Sequence, residues 1–217
     1  MAEYILLGFA AIPFIYYLLA IYSTARFFRV SRRENVPNTD FLPPVSCLKP
    51  IKGLDEDAYE NYASFCRQDY PDFEILFCVT DEREPAIPVI EKLIRDFPER
   101  SIRLLVGSEP LGASDKVNKL CRMAREARHD IVIASDSDVR VAPGFLRAVV
   151  APFSDPKVGG VTCLYRGLTD GSFAADLEAL GNSADFAPGV LVARLFGDLD
   201  FMLGAVMVTT KKHLGEI

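Results

Sequence analysis

Tryptophan is absent from this sequence of 217 residues, and histidine occurs only at His129 and His213. Zinc sites are built from clustered histidine and cysteine side chains, so two distant histidines argue against a zinc site. The five cysteines contain no Cys-x-x-Cys pair, and Cys47, Cys78 and Cys163 fall inside apolar runs. We therefore expect buried, reduced thiols in a domain that faces the cytosol.

Acidic residues outnumber basic ones, and the net charge is −6 at pH 7. Nucleic-acid binding needs grouped Lys and Arg side chains that neutralise phosphates, so we expect no nucleic-acid partner. No Gly-x-Gly-x-x-Gly follows the first predicted strand, which leaves a dinucleotide-binding fold without support. No Gly-x-x-x-x-Gly-Lys-Ser/Thr occurs either, which excludes a P-loop.

One hydrophobic run is long, because no charged residue occurs from Tyr4 to Ala25. A helix that rises about 1.5 Å per residue crosses the hydrocarbon core of roughly 30 Å over this length, so residues 1–28 are predicted to form one transmembrane helix. Arginines at 26, 29, 32 and 33 follow it, which predicts a cytoplasmic domain anchored in the inner cell membrane. A signal peptide is the alternative, but the run is too long and lacks a preceding basic residue and a clear cleavage site.

The rest of the chain is predicted to be a linker and one α/β domain. Residues 29–44 form a basic juxtamembrane segment and linker, because 34–44 contains three prolines. Residues 45–217 alternate strands and helices, which predicts βαβ units and a mostly parallel sheet with flanking helices. The predicted strands are 45–50, 73–80, 102–106, one ending at 136, 158–163 and 203–209, and the predicted helices are 55–66, 86–97, 114–127, 143–153 and 173–180. Segment 181–200 has two interpretations, a helical excursion that covers the sheet and a segment against the membrane surface.

Two carboxylates two positions apart, Asp136 and Asp138, follow a short apolar run. Ligands of open α/β sheets bind outside the carboxyl ends of the strands, where Asp81 also closes the second predicted strand. Neighbouring carboxylates repel each other, and a cation such as Mg²⁺, which often holds substrate phosphates, removes that repulsion. The pair therefore predicts a metal–diphosphate site, with a solvated acidic turn as the alternative. An aspartyl-phosphate phosphatase also has Asp-x-Asp, but it needs Thr or Val where Arg140 stands.

Several short motifs occur in an order and spacing that resembles glycosyltransferase families 2 and 21, which have the GT-A fold. They lie at 45–53, 78–81 with 85–87, 116–120, 135–141 and 173–178. The sequence is most similar to the ceramide glucosyltransferase branch and its bacterial relatives, including the hopanoid-biosynthesis glycosyltransferase.

This resemblance implies an inverting transfer of GlcNAc or Glc from a UDP-sugar to a membrane lipid, with Mg²⁺ or Mn²⁺ as cofactor. It assigns Asp81, Lys116, Asp136 and Pro50 to the nucleotide sugar, and Asp138 together with Asp136 to the metal. The acceptor expected first is a hopanoid of the bacteriohopanetetrol type, and ceramide is the alternative.

The sequence departs from the family pattern near its end. The family carries a further acidic motif that supplies the catalytic base, and then a Gln/Arg-x-x-Arg-Trp motif, whereas this sequence has neither before Ile217. We therefore expect the base motif to lie beyond Ile217, in a longer protein of which this is a C-terminally truncated part, and no catalytic residue is assigned. The alternative is a non-catalytic, membrane-anchored fragment that binds a UDP-sugar without transferring it.

Overall fold

The computed structural model of the protein describes residues 2–34, 41–169, 171–197 and 199–215, which form two compact units. One unit contains residues 41–163 and 202–215 and holds the sheet. The other combines the N-terminal helix with the described parts of 164–201.

Six strands form a single sheet in the order β3-β2-β1-β4-β6-β5. Neighbouring strands are parallel from β3 through β4, whereas β6 runs antiparallel to both β4 and β5. The mostly parallel sheet predicted from the alternation of strands and helices is therefore confirmed, with an antiparallel edge. The strands are β1 Val45–Pro50, β2 Phe73–Val79, β3 Ser101–Val106, β4 Ile131–Ser135, β5 Gly160–Thr162 and β6 Val206–Thr210.

Helices cover both faces of this sheet. The helices of this unit are α2 Ala58–Cys66, α3 Ile87–Asp96, α4 Asp115–Glu126, α5 Phe145–Val150 and the short α8 Lys211–Leu214. Successive residues of a strand point to opposite faces. Cys47 of β1 therefore packs in the core shared with α2, α3 and α5, and Leu48 packs with Met123 of α4. Burial of each large apolar side chain in these cores contributes about 1.5–3 kcal/mol.

Several element boundaries differ from the sequence prediction. Helix α2 begins three residues later than predicted, because a turn precedes it in which the Ala58 N–H donates to the Asp55 carbonyl at 3.1 Å. The predicted helix 143–153 is the short α5 followed by a 3₁₀ turn at Ala151–Ser154. The predicted strand 158–163 is only three residues long, and the predicted strand 203–209 begins at Val206.

The second unit is helical. It contains α1 Ala2–Glu34, α6 Phe173–Gly181 and α7 Ala187–Phe196, and a π-helical turn at Asn182–Phe186 joins the last two. Helix α1 continues past residue 28, so the first part of the predicted linker is helical, and residues 35–40 lie outside the described residues. Over Gly8–Ser31, α1 is long and apolar enough to cross a membrane by length and composition.

Helix α7 packs against α1. A Cβ atom added at Gly189 would lie 3.3 Å from the Tyr16 hydroxyl, so a small residue permits the approach of the two helices. Val190, Leu191 and Val192 of α7 are buried. The region from 181 to 196 is thus helical and packs against α1, and its two interpretations, as a cover of the sheet and as a segment at the membrane surface, stay predictions.

Candidate functional site

A pocket of ≈ 390 Å³ opens at the carboxyl ends of β1 and β4. From β1 the chain builds β2 and β3 on one side and then returns to place β4 on the other, so the pocket lies at the switch point where ligands of such sheets bind. Four of the five predicted site residues line it. The lining residues are Pro50, Ile51, Lys52, Asp115, Lys116, Lys119, Asp136, Ser137 and Asp138.

The two parallel strands place the predicted residues at the same level. Leu48 of β1 pairs with Ala134 of β4, so Pro50 and Asp136, each two residues further on, leave the sheet side by side. Lys116 comes from the first turn of α4, which Ser114 caps by accepting a hydrogen bond from the Val117 N–H at 3.4 Å.

An ion pair joins two of the predicted residues. Lys116 Nζ lies 2.5 Å from Asp136 Oδ1, and the side chains are 46% and 34% exposed. One turn further along α4, the buried Lys119 pairs with Asp115 at 2.8 Å and donates to the Ile51 carbonyl at 2.6 Å. The hydrogen bond from Lys119 lowers the pKa of Asp115. The pocket thus carries alternating positive and negative groups.

Asp138 is exposed on the turn that follows β4. Its carboxylate makes no hydrogen bond or ion pair with any residue that the structure describes. Within the described ranges, no group of three or more His, Cys, Asp or Glu side chains gathers into a metal site. Two carboxylates nevertheless suit Mg²⁺ or Mn²⁺, because such hard ions bind through one or two carboxylates and complete their shell with water and substrate phosphates.

Lys49, which was not among the predicted site residues, lies directly behind the Asp136–Asp138 turn. Its side chain is fully buried, and its Nζ donates to the Asp136 carbonyl at 2.8 Å and to the Ser135 hydroxyl at 3.2 Å. The ammonium also lies 3.9 Å from the centre of the Phe65 ring. Burial lowers the pKa of Lys49 to about 7, while nearby carboxylates act in the opposite direction. A charged side chain inside a predicted strand was the available signal.

Lys52 and Lys119 were also missed, although both line the pocket. Lys119 follows Lys116 by three residues, which places both on neighbouring turns of one helix face. That spacing was visible in the sequence. The contact between Lys119 and the Ile51 carbonyl was not, because 68 positions separate the two residues.

Asp81 follows the carboxyl end of β2, on the same edge of the sheet, but it does not line the pocket. Strand β1 separates β2 from β4, so two strand spacings of about 4.8 Å lie between them. The Asp81 carboxylate accepts the Arg83 N–H at 2.7 Å, and the side chain is exposed. Its contact with a nucleoside stays a prediction.

Comparison with known sequences gives one family. The model of glycosyl transferase family 21 matches residues 5–217. Ceramide glucosyltransferase 1 of Caenorhabditis elegans is 35% identical over 159 residues, which cover 72% of this chain and 34% of the relative. Ceramide glucosyltransferase of Komagataella phaffii is 37% identical over 122 residues, which cover 54% of this chain and 24% of the relative. The chain thus spans about a third or less of the length of these curated relatives.

Among solved structures, the mannosyltransferase PcManGT from Pyrobaculum calidifontis, determined in complex with GDP-Man and Mn²⁺, is similar with a TM-score of 0.65. The sequences are 18% identical, and the match covers 92% of this chain and 57% of that chain. At this identity the similarity concerns the fold, and the sheet with its flanking helices is a GT-A fold.

Proposed function

Since the chain belongs to glycosyl transferase family 21, we propose that it provides the donor site of an enzyme that transfers a hexose from a UDP-sugar to a membrane lipid. The observation that carries the proposal is the pocket at the switch point of the sheet. There an Asp-x-Asp turn faces three lysines, Lys52, Lys116 and Lys119. Adjacent opposite charges of this kind suit a metal-bound diphosphate, which presents both an anion and a cation.

The diphosphate of the donor would lie between the lysines and the Asp-x-Asp turn. The first turn of α4, with its N–H groups directed out of the helix, adds a favourable field for an anion. Lys116 would exchange its ion pair with Asp136 for a phosphate oxygen, because a dianionic diphosphate offers more negative charge than one carboxylate.

Asp136 and Asp138 would hold Mg²⁺ or Mn²⁺. The ion, when bound, neutralises charge that develops on the diphosphate leaving group as the sugar–phosphate bond breaks. Pro50 stands beside Asp136 and would contact the nucleotide, and Asp81 would meet the nucleoside further along the same edge.

For the acceptor we propose ceramide in place of the hopanoid that was expected first. The support is that the relatives reported above are named ceramide glucosyltransferases, which also favours glucose as the transferred sugar. The apolar helix α1 supports a lipid acceptor, because a membrane anchor would keep the donor site beside a substrate that stays in the bilayer. The arginines that follow its apolar part support a cytoplasmic orientation.

A second candidate function is binding of the UDP-sugar without transfer. It is favoured by the carboxylates of the pocket, which are Asp115, Asp136 and Asp138. Asp115 is paired with Lys119, and the other two are the proposed metal ligands, so none of the three is available to deprotonate an acceptor hydroxyl.

The experiment that tests the donor site is Asp138→Ala in the full chain, with Asp130→Ala as the control. Asp130 is exposed at the opposite end of β4 and contributes no group to the pocket. We expect Asp138→Ala to abolish the part of UDP binding that depends on Mn²⁺, measured by calorimetry with Mn²⁺ and with EDTA. Unchanged metal-dependent binding in Asp138→Ala would contradict the site assignment.

An assay of sugar transfer distinguishes the two candidate functions. The purified 217-residue chain is incubated with radiolabelled UDP-glucose and liposomes that contain ceramide. We expect UDP binding without labelled lipid. Labelled glucosylceramide would refute the binding-only candidate and show that a base is present.

A further inference from the structure

We propose that Lys49 is a positioning residue, which holds the Asp136–Asp138 turn in the geometry that binds the metal. The inference rests on the proposed function, because it concerns how the same site is supported. It assigns a role to a buried amine that the donor site itself does not use.

The ladder between β1 and β4 ends next to the Asp136–Asp138 turn. Pairing of β1 with β4 stops at Leu48 and Ala134. Beyond that point β1 offers Pro50, which has no N–H to donate. The Asp136 carbonyl instead accepts the Lys49 Nζ at 2.8 Å, together with longer bonds from the Ser135 hydroxyl at 3.3 Å and the Val139 N–H at 3.4 Å.

An amine at this buried position is costly. The Lys49 side chain is fully buried, and its acceptors are one carbonyl and one hydroxyl, with the Phe65 ring beneath it. A polar or charged group in such a place is unfavourable unless its hydrogen bonds are made. An apolar side chain of similar length would fill the space without that cost. What the amine adds is therefore its two hydrogen bonds, of which the shorter is to the Asp136 carbonyl and the longer to the Ser135 hydroxyl.

The Asp136 peptide is held from two sides of the turn. The Asp136 N–H donates to the Ala205 carbonyl at 3.1 Å, which ties the turn to the segment before β6. The bond from Lys49 ties the same peptide segment to β1 on the other side. Both carboxylates leave the chain from this turn, so their separation depends on these two attachments. Groups that orient metal ligands in this way commonly change metal affinity when they are removed.

The test is Lys49→Met in the full chain in detergent micelles. Methionine keeps the length and removes the donor. We expect Mn²⁺ affinity in the presence of UDP to fall by about 10- to 100-fold, as is usual for groups that orient metal ligands. Free Mn²⁺ is measured by its paramagnetic resonance signal at a temperature at which the variant is folded.

The matched control is Ile75→Val in β2, a buried core position that does not line the pocket. It lowers stability without changing the turn, so its Mn²⁺ affinity should equal that of the unmodified chain. A loss of affinity confined to Lys49→Met supports the positioning role. Equal affinity in folded Lys49→Met and the unmodified chain overturns it.

Two further measurements keep the outcome decisive. The proposed function fails if the unmodified chain binds no Mn²⁺ in the presence of UDP, or if Asp138→Ala binds Mn²⁺ as tightly as the unmodified chain. This inference then fails with it. If Lys49→Met does not fold, Lys49→Gln is measured in its place. The glutamine side chain is polar but one bond shorter than that of lysine, so its amide nitrogen ends short of the position of the lysine Nζ. The same loss of about 10- to 100-fold supports the proposal, and unchanged affinity overturns it.

Discussion

The ion pair between Lys116 and Asp136 predicts that one substitution changes two affinities in opposite directions. Lys116→Met removes the ammonium that lies 2.5 Å from the Asp136 carboxylate. Without UDP, Lys116 competes with a metal ion for that carboxylate, so its removal strengthens Mn²⁺ binding. With UDP, Lys116 is a proposed phosphate ligand, so its removal weakens nucleotide binding.

The exposure of the pair determines the size of the first effect. The side chains are 46% and 34% exposed, and ion pairs of this kind contribute about 0.2–1 kcal/mol. Mn²⁺ affinity without nucleotide should therefore rise by about 1.4- to 5-fold, since 1.4 kcal/mol is a factor of ten.

The second effect is larger. A hydrogen bond to a charged group contributes about 1.5–3 kcal/mol, and the partial exposure of Lys116 places it at the lower end. UDP affinity at saturating Mn²⁺ should therefore fall by about tenfold.

Both affinities are measured by calorimetry on the full chain, with Mn²⁺ titrated alone and UDP titrated at saturating Mn²⁺. Lys157→Met is the control, because Lys157 is exposed in the turn before β5 and is not a pocket residue. It should leave both values unchanged. A fall in Mn²⁺ affinity of the nucleotide-free Lys116→Met protein would refute the reasoning, as would unchanged UDP affinity.

Two further predictions concern groups outside the pocket. The buried Glu74 carboxylate accepts the Ser46 hydroxyl at 2.7 Å and a backbone N–H at 2.6 Å, so Glu74→Ala should lower the free energy of unfolding by about 3 kcal/mol in thermal denaturation; a loss below about 1 kcal/mol would contradict this. Burial raises the pKa of both Cys47 and Cys66 to about 12. These thiols therefore stay protonated at pH 8, and iodoacetamide followed by peptide mass spectrometry should find them labelled only after unfolding, whereas the partly exposed Cys121 reacts first. Rapid labelling of native Cys47 would show that its burial is incomplete.

Much of the fold could be predicted because its causes are local. The first strand was predicted with its observed bounds, since its apolar residues and the terminal Pro50 lie within six positions. The Ser114 cap acts on an N–H three residues away, so its pattern is contained in one short stretch. Most predicted helices and strands are present with shifted ends.

The direction of the strands at one edge of the sheet could not be predicted from any short stretch of the sequence. Strands β5 and β6 are antiparallel neighbours, although the chain between them is long and includes α6 and α7. The sequence of an apolar strand does not show the direction of its neighbour, because the same pattern of side chains is compatible with a parallel and an antiparallel ladder. Only the packed sheet decides which one forms.

The candidate site likewise contains residues that the sequence predicted and residues that it did not. The Asp136–Asp138 pair was recognisable from two neighbouring carboxylates after a buried strand, because the carboxyl end of a parallel strand is where ligands bind. Motif order added Lys116 and Pro50, and both line the pocket. Asp81 was predicted for the same edge of the sheet, where it lies outside the pocket lining.

Residue types and short-range spacing thus determined the individual strands, the helices that cover the sheet and the carboxylates at its edge, but not the direction of the edge strands. The tertiary structure alone decided where the long lysine side chains end. Lys49 reaches the Asp136 carbonyl across 87 positions, and Lys119 reaches Ile51 across 68. A flexible four-carbon side chain takes its position from the acceptors around it, and here those acceptors come together only when β1, α4 and β4 pack.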